Sequence, residues 1–79
     1  MPKLRDKQAI ELLAGNLKRY RLEQELTQEE LANKAGVEFS TISRIERGLL
    51  NASISLVFAL AKALEIEPTR LLKKKEEAS

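Results

Sequence analysis

Apolar residues recur along the chain at three- and four-residue intervals. Ile10, Leu13, Ala14 and Leu17 form one such series, with Arg21 next in it, and predict a first helix over 7–23 with these positions inward. Asp6 stands at its N-cap. A short connector, 23–26, follows, with Leu26 facing in. Thr27 precedes Glu30 by three residues, the start of a capping box, and Leu31, Ala32 and Ala35 continue at helical spacing. Gly36 ends this second helix, because glycine reaches a positive φ most easily. Val37 then fills the gap under the turn. A third helix is predicted from Phe39 to Arg47, with Ile42 and Ile45 inward and Gly48 as its stop.

The fourth helix is patterned differently. Ser53 caps 54–64, and Ile54, Val57, Leu60, Ala61 and Leu64 make the expected core stripe. Leu56, Phe58, Ala59 and Ala63 are apolar as well, which leaves only Ser55 and Lys62 polar. A helix that is apolar nearly all round is buried on more than one side. In so small a domain the second side is expected to be another subunit. Glu67-Pro68 opens a fifth helix with proline at its first position, and Leu71 and Leu72 bury inward or across a dimer. Met1 to Arg5 reads as a loose arm, and 73–79 as a charged tail. Five helices with short loops give an all-α domain spanning 1–79, in which 53–75 carry dimerisation.

Residues 27–48, TQEELANKAGVEFSTISRIERG, hold the most specific pattern in the chain. Small Ala32 sits where two short helices must cross. Gly36 makes the turn, 31, 37, 42 and 45 are apolar, and neither helix contains an internal Pro or Gly. Ile42 to Gly48 reads Ile-Ser-x-Ile-Glu-x-Gly. This resembles the helix-turn-helix of the phage-repressor and Cro-like (XRE-type) family, and the resemblance extends from about Leu13 to Leu72. It implies a compact five-helix domain of the lambda-repressor-like type, whose second motif helix enters the DNA major groove. The bland reading of the same pattern is a helical hairpin that packs another protein.

Composition narrows the chemistry. Seventy-nine residues are expected to make one domain, with no room for an effector domain beside it. A core of that size is marginal, and a dimer would support it. The chain has no cysteine and no histidine. That removes disulfides, thiolate nucleophiles and the usual zinc ligand sets. No phosphate-cradling glycine loop is present, and the acidic residues are scattered as caps and surface pairs. We therefore expect no enzyme activity, no catalytic residues, no metal, no cofactor and no small-molecule ligand. No apolar run approaches the roughly 18 residues of a membrane span, and the charged start lacks a secretory signal's apolar segment. A cytoplasmic location is expected by default. Net charge is only +2, which permits nucleic-acid binding without arguing for it, so placement of charge decides.

Helical geometry places Phe39, Ser40, Ser43, Arg44 and Arg47 on one face of the third helix, opposite Ile42 and Ile45. Arg44 suits the O6 and N7 acceptors of guanine, Ser40 suits either base type, and Phe39 suits a thymine methyl. The other placement open to Phe39 is folded back against the second helix. The resemblance assigns base reading to Phe39, Ser40 and Arg44, with Thr41 a less certain fourth. It makes Gln28 a phosphate contact at a helix N-terminus, with Ser43, Arg47 and Asn51 as further phosphate contacts. Lys18 and Arg19 add long-range attraction or form a solvated face. The resemblance also pairs Arg21 with Glu46; the alternative is an exposed Arg21. Glu38 departs from the family's usual Ser, Thr or Asp cap, which weakens the start of the third helix. Leu50, Leu56, Phe58 and Leu72 are the expected dimer interface.

The expected function is sequence-specific binding of double-stranded DNA by a homodimer on a two-fold symmetric operator, to regulate transcription. The size and the apolar fourth helix are similar to the small controller proteins of restriction-modification systems. An antitoxin and a phage Cro-like switch remain open. So does a protein-interaction module that keeps the fold without reading DNA.

Overall fold

α1 (Lys7–Glu23) is the longest element. The computed structural model describes residues 4–75. Asp6 caps α1 by accepting from the Ala9 N–H at 3.0 Å. α2 (Gln28–Ala35) and α3 (Phe39–Glu46) follow, then α4 (Ile54–Leu64) and a 3₁₀ helix, Pro68–Leu72. No strand occurs among the described residues.

The caps explain where α2 begins and ends. Thr27 Oγ1 accepts from the Glu30 N–H at 3.0 Å, and Glu30 Oε1 accepts from the Thr27 N–H at 2.8 Å. Both halves of the capping box are therefore made. Gly36 takes a left-handed φ of 72°. That lets the Val37 N–H reach back to the Ala32 carbonyl at 3.0 Å, which satisfies an acceptor the helix end would otherwise leave open. Gly48 closes α3 in the same way, at φ 73°, with the Leu49 N–H donating to the Arg44 carbonyl at 2.9 Å. Glu38, by contrast, makes no side-chain cap to α3.

Every element sends a side chain to one core. Leu17, Leu31, Ile42, Ile45, Leu60, Leu64 and Leu71 are its largest fully buried members, each contributing about 1.5–3 kcal/mol by leaving water. Ala32 is buried between α2 and its neighbours, and Leu26, Val37 and Leu50 pack at the edge of the core. Tyr20 is buried too, with the Arg19 guanidinium 4.5 Å above its ring.

Three expectations need correction. The fifth helix is 3₁₀, not α. Five residues are too few for two α-turns, and the Arg70 N–H bonds Glu67 three residues back at 3.0 Å. Buried Asn16 then takes the end of this helix, donating from Nδ2 to the carbonyls of Leu71 at 2.9 Å and Lys73 at 2.7 Å. Second, Ile54 is not core: it is 70% exposed. It stands in the first turn of α4, about 60° round the helix from Val57 on the Phe58 side, so it projects past the packed face. Third, Leu56 is not on the free face of α4 with Phe58. Successive residues turn by about 100°, which puts these two on opposite sides, and Leu56 packs against the core.

Candidate nucleic-acid interface

α3 is held in place from below by one polar network. The Arg21 Nε donates to Glu46 Oε2 at 2.7 Å, and its Nη2 donates to Oε1 at 2.9 Å. This is the bidentate fork that makes Arg–carboxylate pairs strong and directional. Arg21 Nη1 donates to the Leu26 carbonyl at 2.7 Å, and Gln28 Nε2 donates to Glu46 Oε1 at 2.9 Å. The two charged side chains retain only 9% and 3% of their exposure. Hydrogen bonding to Glu46 holds the Arg21 pKa above its ordinary value, against the desolvation that lowers it. The network joins the end of α1, the 23–27 connector, the first residue of α2 and the last residue of α3. A buried pair of this kind is a poor source of net stability but a good source of fixed geometry.

The outer face of α3 is free. Ser40 and Arg44 are exposed, and no hydrogen bond or ion pair within the described residues engages their side chains. Thr41 and Ser43 are partly buried along the same helix. Arg47 is the C-cap residue, and its Nε leans on the Ser43 carbonyl at 3.3 Å. Phe39 is half exposed. It lines a shallow depression with Thr27, Gln28 and Glu29, beside the start of α2, between the two placements weighed for it. A planar cationic donor, two hydroxyls and an aromatic edge on one unencumbered helix face fit the acceptors and methyl groups of a major groove.

The expected phosphate contacts divide. Gln28 sits at the first position of α2, where unpaired backbone N–H groups favour an anion. Its amide is oriented by Glu46, and an NH₂ group still has a second donor. Ser43 and Arg47 flank the α3 face. Asn51 stands apart: its Nδ2 donates to the Leu4 carbonyl at 2.9 Å, so it holds the segment before α1. Lys18 is exposed, and Arg19 lies 3.7 Å from Glu23 on the same helix.

The four expected interface residues also divide. Phe58 and Leu72 are about half exposed, whereas Leu50 and Leu56 are partly buried against the core. Leu50 nonetheless lines one recess with exposed Ile54 and Leu72, so an apolar surface runs from the α3–α4 loop across the start of α4 to the 3₁₀ helix. The sequence reading missed Asn16, Gln24 and the Gln28–Glu46 bond. Gln24 Nε2 donates to the Leu64 carbonyl at 2.7 Å, tying the connector to the end of α4. Asn16 falls in series with Leu13 and Tyr20 on the inner face of α1, and that spacing was the available signal.

Among the described residues, no group of three or more His, Cys, Asp or Glu is placed to hold a metal ion. No helix there is long and apolar enough to cross a membrane.

A two-helix motif locked from below, with a free polar outer face, defines a helix-turn-helix domain of the DNA-binding type. The chain belongs to the helix-turn-helix family HTH_3, whose sequence profile matches residues 17–71. It is similar to an uncharacterized HTH-type transcriptional regulator of Methanocaldococcus jannaschii, 46% identical over 50 residues that cover 63% of this chain and 76% of the relative. A hypothetical transcription factor from Neisseria, NHTF, superposes with a TM-score of 0.85 at 31% identity, covering 98% of this chain and 90% of that one. The restriction-modification controller protein C.AhdI from Aeromonas hydrophila gives 0.76 at 35% identity, over 78% and 94% of the two chains.

Proposed function

We propose that this protein is a transcriptional regulator that binds duplex DNA as a homodimer on a two-fold symmetric operator. The observation that carries this reading is the contrast between the two sides of α3. Its inner side is fixed by Ile42, Ile45 and the Arg21–Glu46–Gln28 network. Its outer side leaves Ser40 and Arg44 uncommitted. A protein-interaction module would have no need of an exposed guanidinium on the outer face of a helix locked in place from below. In the bound state Phe39, Ser40 and Arg44 read bases, with Thr41 beside them. Gln28, Ser43 and Arg47 grip phosphates and set the register.

The dimer forms through the apolar surface of α4 and the 3₁₀ helix, centred on Phe58 and Leu72. No cofactor, metal or small-molecule effector takes part, and the protein is not an enzyme. It works in the cytoplasm, controlled through its own concentration by a monomer–dimer equilibrium linked to DNA binding. Among regulators, the controller proteins of restriction-modification systems, C.AhdI among them, are similar in size and fold to this chain.

Selection of bound sequences from random duplex DNA tests it. The expected product is a two-fold symmetric site whose half-sites are centred about 34 Å apart, one helical turn. Binding should weaken steeply with salt, as phosphate contacts require. Recovery of no sequence preference at any salt concentration would defeat the reading in favour of a protein-interaction module.

A further inference from the structure

The depression in front of α2 is lined by Arg21, Thr27, Gln28, Glu29 and Phe39. Three of these side chains are engaged from within. Arg21 and Gln28 bond Glu46, and Thr27 accepts from the Glu30 N–H in the capping box. Glu29 and Phe39 are exposed, and no ion pair among the described residues engages Glu29. Phe39 is the one large apolar side chain of α3 left open, 51% exposed, beside Ser40 and Arg44. A single exposed phenyl ring is ordinary on a protein surface, but on the proposed DNA face it must meet something in the groove. The uncommitted charge next to it is a carboxylate, which repels a phosphate. A base edge therefore suits this corner better than backbone.

The apolar group that a base edge presents in the major groove is the C5-methyl of thymine. A phenyl ring has neither donor nor acceptor, so it reads that methyl and not the atom beside it. That neighbouring atom is the O4 acceptor in thymine and the N4 amino donor in cytosine. Phe39 is blind to the difference, and the Glu29 carboxylate, an acceptor only, accommodates the donor. We infer that Phe39 recognises C5 methylation of a pyrimidine rather than thymine as such. At its base pair 5-methylcytosine is accepted, and unmodified cytosine is not. The inference rests on the base-reading face proposed above and adds a form of regulation to it. A site with cytosine at that position would bind more tightly once cytosine C5 was methylated.

Binding titrations of the whole protein on the duplex recovered by selection test this, with substitutions confined to one half-site. Each thymine is replaced in turn by deoxyuridine, which removes one methyl group and leaves the hydrogen-bonding edge unchanged. One such replacement should weaken binding about fourfold, the scale of one buried methyl group. At that position a 5-methylcytosine·guanine pair should bind about fourfold more tightly than a cytosine·guanine pair. Phe39→Leu, which keeps an apolar side chain, should preserve both ratios. Phe39→Ala should bring both close to one, with a melting temperature near that of the wild type because the ring is half exposed. If no thymine is sensitive to loss of its methyl, or the methylated and unmethylated cytosine pairs bind equally, the inference is overturned and the DNA-reading face stands. Methyl ratios unchanged in Phe39→Ala would overturn it as well, since another side chain would then hold the methyl. Recovery of no preferred sequence would overturn the base-reading face and this inference together.

Discussion

Arg21 commits its guanidinium entirely to the interior, with Nε and Nη2 on Glu46 and Nη1 on the Leu26 carbonyl. Arg44, twenty-three positions later, commits its guanidinium to nothing within the described residues and is exposed. The same functional group thus serves two ends, and burial decides which. Truncating either member of the Arg21–Glu46 pair strands the other in a desolvated site, at a cost of about 3–5 kcal/mol. Arg21→Ala and Glu46→Ala should each lower the melting temperature, and the double variant should lose less than the sum of the two. Thermal denaturation of the four proteins gives the coupling directly, and strict additivity would show that the pair does not act as a unit. Arg44→Ala should leave stability alone. It should cost roughly 1–3 kcal/mol on the best operator and relax preference at one base position, as loss of the proposed bidentate contact to guanine requires. Gln28→Ala should weaken binding to all sequences alike. It should also loosen Glu46, so its melting temperature should fall slightly where that of Arg44→Ala does not. Binding titrations on matched and single-substituted duplexes separate the two patterns.

At the level of elements, the caps divide the helices into well and poorly anchored ones. α1, α2 and α4 each start with a side-chain cap from Asp6, Thr27 or Ser53, whereas α3 starts at Glu38 with none. Glu38→Ser supplies the missing acceptor for the first turn of α3. It should stabilise the protein by about 0.5–1 kcal/mol, a rise of a few degrees in the melting temperature. A variant that melts at or below the wild-type temperature would mean that the Glu38 carboxylate already compensates through the helix dipole. These starts and stops were legible in the sequence because they depend on local chemistry. α1 falls at Lys7–Glu23 and α2 between Thr27 and Gly36, where capping residues and glycines put them. What the sequence hid depends on contacts far apart in the chain. The 3₁₀ character of Pro68–Leu72 follows from its brevity and from Asn16, more than fifty positions away, taking the Leu71 carbonyl. Asn51 pairs with Leu4 across a similar gap. The exposure of Ile54 could have been anticipated from helix geometry, but an apolar residue at core spacing reads as core until the neighbouring elements are placed. At the candidate site, the free face of α3 follows from periodicity. The bond from Gln28 to Glu46 does not, because it needs the crossing of two helices.

For the molecule as a whole, the two working surfaces lie on different elements: the polar face on α3, and the apolar surface on α4 and the 3₁₀ helix. In the proposed dimer, that separation would let one copy hold its partner while α3 of each copy remained free for DNA. Phe58 is the large side chain on the open side of α4, 57% exposed in the single subunit. It neighbours Ile66 and Pro68 around one hollow and follows Ile54 by one helical turn. An arginine there meets water in the monomer at little cost, but in a two-fold interface it would bring two like charges together in an apolar setting. Phe58→Arg should therefore remain folded, with a melting temperature near that of the wild-type monomer, and should sediment as a monomer at micromolar concentration. Its affinity for an isolated half-site should match that of one wild-type subunit, since α3 and its supporting network are untouched. On the full operator it should fall by 10²-fold or more, the scale of the advantage that linking two sites confers. Sedimentation and parallel titrations on half-site and full-site duplexes check this. If the full operator binds wild type and Phe58→Arg equally, then linkage through α4 contributes nothing, and each subunit reads its half-site alone.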